Sequence, residues 1–188
     1  MTVYLFWPAQ TQILLRSRMR WLNGDSLAKM FLAMNKDQME RGLPVHCVDS
    51  HVTSYLLRVR ADPNAFAKKL ISIVLGQNPD LFPNALVFAM HAEECHFLTL
   101  LLHALERKLY VFDSLISSSA TWVIIKELAT ALRLNPEEDV IRGTMTMQDE
   151  SVHCLPYVVG AANGLRQSCT PHDVSNGVSW FCSQHSKH

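Results

Sequence analysis

Residues 96–113 read HFLTLLLHALERKLYVFD, two apolar runs joined by a short charged turn. Runs of this length, rich in Leu, Val, Phe and Tyr and bounded by polar residues, read as two buried strands of a hairpin. A turn centred on Ala104 and Leu105 sets His96 opposite Asp113, Leu98 opposite Val111 and Leu100 opposite Leu109. Directly opposed Cβ atoms in an antiparallel pair lie about 4.5–5.5 Å apart, within reach of an imidazole–carboxylate hydrogen bond. A one-residue slip would send the two groups to opposite faces. Two readings stay open at this level. Either His96 and Asp113 are solvated strand ends, or Asp113 fixes the tautomer of His96 and the pair is two-thirds of a nucleophilic triad.

The flanking sequence predicts an α+β domain. Leu27, Met30, Phe31 and Met34 share one face of a helix in DSLAKMFLAMNKDQMERG, with Asp25 or Ser26 as cap and Gly42 as stop. A second helix lies in ADPNAFAKKLISIVLG, with Asp62 as N-cap, Pro63 at the first helical position and Gly76 as the stop. ALVFAM is a strand candidate before the hairpin, and SSATWVIIKELATALRL a third helix after it. VIRGTMTM reads as one further strand, and CLPYVVGAANGL as a buried helix starting near Cys154, where Pro156 is tolerated in the first turn. The opening MTVYLFWPAQTQ reads as a strand or extended arm, since no basic stretch precedes its apolar run.

Composition narrows the function classes. With 188 residues, 48% hydrophobic and 18% charged, the chain suits one globular domain, expected to span residues 1–188. Lys+Arg and Asp+Glu both number 17, and a zero formal net charge argues against nucleic acid as a partner. No apolar stretch approaches the length that spans a bilayer, so no membrane partner is expected. Cys47, Cys95, Cys154, Cys169 and Cys182 are odd in number and irregularly spaced, which predicts reduced thiols and an intracellular setting, cytoplasm or nucleus. Two Cys-x-x-His pairs in the tail, Cys169/His172 and Cys182/His185, raise a zinc site. Their mixed pairing and short separation fit zinc poorly, so no metal and no cofactor are assigned.

Cys154 is the candidate nucleophile because it stands after a polar link at the start of an apolar helix. Unpaired N–H groups and the helix dipole stabilise a thiolate there. A buried core thiol is the competing reading. Gln148, just upstream, carries a side-chain amide suited to an oxyanion hole.

Taken together, these pieces resemble the ubiquitin-like-protein-specific cysteine proteases, the SUMO- and NEDD8-processing enzymes related to the adenovirus endopeptidase. The carriers are His96-Phe97 opening a strand, Asp113-Ser114-Leu115 seventeen residues on, Gln148 and Cys154 with five residues between them, and Trp21-Leu22-Asn23 before the first helix. The resemblance covers roughly residues 10–166. It implies a papain-like or adenain-like fold with a central mixed sheet flanked by helices and the nucleophile at a helix N-terminus. It also implies a thiol peptidase that cleaves after the C-terminal Gly-Gly of SUMO, NEDD8 or ubiquitin. In that scheme Cys154 is the nucleophile, His96 the general base, Asp113 its orienter and Gln148 the oxyanion donor. Trp21 and Phe97 would be aromatic walls around a diglycine tail, excluding branched residues. The sequence departs from the family pattern at three places. Phe97 replaces a tryptophan, His153 an acidic residue, and Leu155 the glycine after the nucleophile. Those departures keep a second class open, a modifier-binding module that has lost its chemistry, and behind it a triad-based acetyltransferase.

Overall fold

The two apolar runs form the middle of a mixed five-stranded sheet. The computed structural model describes residues 4–5, 24–41, 45–77, 84–92, 96–114 and 118–145. The strands are β2 (Val45–Val48), β3 (Ala85–Ala92), β4 (His96–His103), β5 (Lys108–Phe112) and β6 (Val140–Arg142), in that spatial order. β3, β4 and β5 are antiparallel neighbours, while β2 runs parallel to β3 and β6 parallel to β5. Parallel neighbours need crossovers. α2 (Ser50–Arg58) and α3 (Pro63–Gln77) supply the first, and α4 (Ser119–Ala131) the second. α1 (Gly24–Arg41) precedes β2, and a separate short pair joins β1 (Tyr4–Leu5) to β7 (Thr144–Met145) in parallel.

Helices cover both faces of the sheet, which is why the strands read as continuous apolar runs with no strict alternation. On one face Leu98, Leu100, Leu102, Leu109 and Val111 pack with Leu56, Phe66, Leu70, Ile125 and Leu128 of α2, α3 and α4. On the other, Leu101, Tyr110 and Phe112 pack with Leu27 and Phe31 of α1, and Met30 and Met34 flank them. The apolar stripe expected on α1 is therefore the one that packs on the sheet. β2 is an edge strand, and Asn35 of α1 closes it. Its Oδ1 accepts from Cys47 N–H at 2.7 Å and its Nδ2 donates to Cys47 C=O at 2.8 Å. A bidentate amide there occupies the backbone groups that would otherwise pair with another strand.

Local punctuation is mostly where the sequence places it. Asp62 Oδ1 accepts from the backbone of Asn64 and Ala65 at 3.0 and 3.1 Å, and Pro63 opens α3. Four expectations are corrected. α1 begins at Gly24, so Asp25 and Ser26 lie in its first turn instead of capping it, and Asp25 Oδ1 meets His51 Nε2 at 3.1 Å. α3 continues to Gln77, so Gly76 is inside the helix. VIRGTMTM is not one strand: Gly143 divides it into β6 and β7, which belong to different sheets.

The fourth correction is the hairpin register. Leu100 faces Val111 and Leu102 faces Leu109, two residues along from the symmetric expectation. The favoured two-residue hairpin turns need positive φ at one or both central residues, which Ala104 and Leu105 are poorly suited to adopt. The chain uses the longer turn Ala104–Arg107 instead, with the left-handed position falling on Arg107 at φ 54°. A slip of two residues preserves the face of every side chain. Gly42, the helix expected from Cys154 and the Cys/His tail lie outside the described residues.

Candidate active site

His96 is the first residue of β4 and pairs with Ala92 of β3, while the β4–β5 ladder begins only at Thr99 and Phe112. Asp113 is the residue immediately after β5. The corrected register makes His96 and Asp113 diagonal neighbours on one face. Diagonal Cβ atoms are about 7–8 Å apart, a gap that an imidazole spans but a short side chain would not. The ring crosses it: His96 Nε2 stands 2.6 Å from Asp113 Oδ1. An ionised carboxylate only accepts, so the Nε2–H of His96 donates, and the neutral ring keeps Nδ1 as its basic nitrogen.

The burial of this pair separates it from an ordinary surface contact. His96 is 8% exposed and Asp113 7%, although both stand at strand ends. The reading of two solvated strand ends is thereby excluded. Taking a carboxylate and an imidazole out of water is costly unless they are paired, and a short charge-assisted hydrogen bond offsets part of that cost.

Phe97 points to the opposite face. It is half-buried and packs against the apolar cluster beside α1. The exposed ring of His91, its partner across β3 and β4, lies 4.6 Å away centroid to centroid at a 46° tilt. Reading the sequence did not single out His91. Drawing ALVFAM through to Ala92 as a strand antiparallel to β4 would have placed it beside Phe97. Trp21, Gln148, His153, Cys154 and Leu155 lie outside the described residues. The structure thus brings together two of the expected site residues, His96 and Asp113, while Phe97 adjoins His96 in sequence with its ring on the other face of the sheet. Among the described residues, no group of three His, Cys, Asp or Glu side chains could hold a metal ion. No helix among them is long and apolar enough to cross a membrane.

No protein-family model and no curated protein sequence matches the chain. Solved structures do. The Xanthomonas campestris effector protein XopD bound to ubiquitin superposes with a TM-score of 0.60 at 16% identity, over 89% of this chain and 91% of that one. The SUMO protease Ulp1 with its catalytic cysteine oxidised to a sulfinic acid gives 0.58 at 12% identity, over 91% and 77%. The Ulp1 protease domain in complex with Smt3, the yeast orthologue of SUMO, gives 0.58 at 10% identity, over 89% and 77%. This chain has the α+β fold of those ubiquitin-like-protein proteases.

Proposed function

We propose that this chain is a thiol peptidase acting on the C-terminal Gly-Gly of a ubiquitin-like modifier, with Cys154 as nucleophile. The observation that carries the reading is the buried 2.6 Å contact between His96 and Asp113, which poises an imidazole with one nitrogen tied to a carboxylate. Its support is the fold held in common with XopD and Ulp1, and the spacing of Gln148 and Cys154 in the sequence.

In this scheme His96 Nδ1 takes the proton of the Cys154 thiol, and Asp113 stabilises the resulting imidazolium. The thiolate sulfur attacks the carbonyl carbon of the terminal glycine, and the Gln148 amide donates to the developing oxyanion. The C–N bond breaks as His96 returns its proton to the leaving amine. Water, deprotonated by the same ring, then cleaves the thioester, releasing the modifier's carboxylate and restoring the thiol. Trp21 and Phe97 would flank the diglycine tail. No cofactor enters any step.

The test is labelling with SUMO, NEDD8 and ubiquitin probes that end in an electrophile. Wild-type protein should form a covalent adduct with at least one, and Cys154→Ala should form none. Undiminished adduct in the variant would remove Cys154 from the scheme. A second reading rests on Leu155, which stands where the family carries glycine beside the nucleophile. A chain that binds a modifier tightly but forms no adduct is a binding module that has lost its chemistry.

A further inference from the structure

A glycine that the catalytic scheme does not use sits against the strand that presents Asp113. Gly143 follows β6, and its N–H donates to Val111 C=O at 2.8 Å, tying it to β5 two residues before the acid. A Cβ built on Gly143 would stand 2.5 Å from Phe112 Cδ1 and 2.9 Å from Cζ, and closer still to Cε1. Carbon atoms in ordinary contact are about 3.5–4.0 Å apart, so the ring of Phe112 rests on a position where only hydrogen fits.

We propose that Gly143 is a positioning residue for the His96–Asp113 pair, acting through the ring of Phe112. Phe112 is 1% exposed and packed in the cluster beside α1, with Phe97 and Ile141 against that cluster. Interiors are packed about as densely as organic crystals, so a ring displaced there moves its own backbone. The next residue along that backbone is Asp113, whose side chain projects to the other face of the sheet. A methyl group at Gly143 therefore levers the end of β5, and a 2.6 Å hydrogen bond between strand ends tolerates little movement. The same glycine stands five residues before Gln148 and eleven before Cys154 in the sequence.

The catalytic part of this inference rests on the peptidase reading; the geometric part does not. The experiment follows the His96 Nε2–H proton by NMR in the full chain, assigned by its loss in His96→Gln. In parallel it measures probe affinity and the rate of Cys154 labelling at saturating probe. Wild-type protein should give a far-downfield Nε2–H resonance protected from solvent. Gly143→Ala should weaken or lose that resonance and slow labelling about 100-fold with affinity unchanged, the scale of a 1 Å misplacement. Gly143→Ala/Phe112→Leu, which removes the ring, should recover both.

An unchanged resonance and rate in Gly143→Ala would overturn the proposal, as would a double variant that recovers neither. Should Gly143→Ala fail to fold, the double variant decides. Folding with the resonance restored supports the proposal, and folding without it, or not folding, overturns it. A wild type that shows the resonance yet labels with no modifier probe removes the peptidase reading and leaves the resonance to judge this one. A wild type without the resonance overturns this proposal, and labelling at Cys154 still judges the peptidase reading.

Discussion

At the closed end of the β4–β5 hairpin, Lys108 Nζ meets Asp139 Oδ1 at 2.7 Å, with side chains 30% and 20% exposed. At the open end, His96 Nε2 meets Asp113 Oδ1 at 2.6 Å, with side chains 10% and 1% exposed. The distances are nearly equal and the environments are not. Lys108 keeps water on its ammonium, and Asp139 also accepts from the backbone N–H of Asn135 at 2.8 Å. The Lys108 hydrogen bond, helped by that N–H, holds the Asp139 carboxyl below its ordinary range. Such a pair is screened by solvent and contributes modestly to stability. The open-end pair is withdrawn from water, where removing one partner disturbs the other strongly. A fold that needed only stability would gain little from burying an imidazole and a carboxylate at a strand end. Buried, paired and titratable groups are what a nucleophilic site requires.

The sharpest way to break this comparison is Asp113→Asn. An amide can turn an N–H toward the ring and force the wrong tautomer, so the proposed chemistry should fall by about 10⁴-fold while the fold survives. Probe labelling alongside circular dichroism reads both. Retention of more than a tenth of the wild-type rate would show that the open-end pair is structural.

Another histidine sharpens the comparison. His46 on β2 has its pKa lowered to about 4 by desolvation, so it is neutral in the folded chain at pH 7. The unfolded chain takes up a proton near 6.5 and the folded one not until about 4, so stability rises with pH across that window. The change in stability amounts to at most about 3 kcal/mol between the two values. Urea unfolding of wild type and His46→Gln at pH 7 and pH 4.5 should show the loss in wild type alone. Equal losses in both would mean that burial does not act on this ring.

The smallest effect is expected at the closed end. Lys108→Met should cost less than about 1 kcal/mol. Because the lowered carboxyl pKa of Asp139 favours the folded state above its unfolded value, that contribution should vanish as pH falls through the folded pKa. Chemical denaturation at a series of pH values from 7 downward measures it. A loss of several kcal/mol at pH 7 would make the two ends of the hairpin energetically alike.

Local chemistry made much of this legible in the sequence. Asp62-Pro63 opens a helix because a carboxylate satisfies orphan amides and proline needs none, and LYVF forms a strand wherever both faces can be covered. The partnership of His96 and Asp113 was legible too, since strand alternation keeps their faces aligned through any even shift. The register itself was not, because turn length depends on which residue accepts positive φ, and Arg107 carries no mark of that role. Nor was the break at Gly143 visible, since alternating β-branched residues continue across it. The ring that Gly143 accommodates belongs to a phenylalanine thirty-one positions earlier.

The order and spacing of His96, Asp113, Gln148 and Cys154, the zero net charge and the helix and strand periods belong to the sequence alone. The diagonal reach of the imidazole, its exclusion from water and the seat of Phe112 on Gly143 were decided by tertiary structure. The physical reason is that periodicity and capping act over a few residues along the chain. Burial and close approach depend on which distant segments pack together, and no local pattern encodes that.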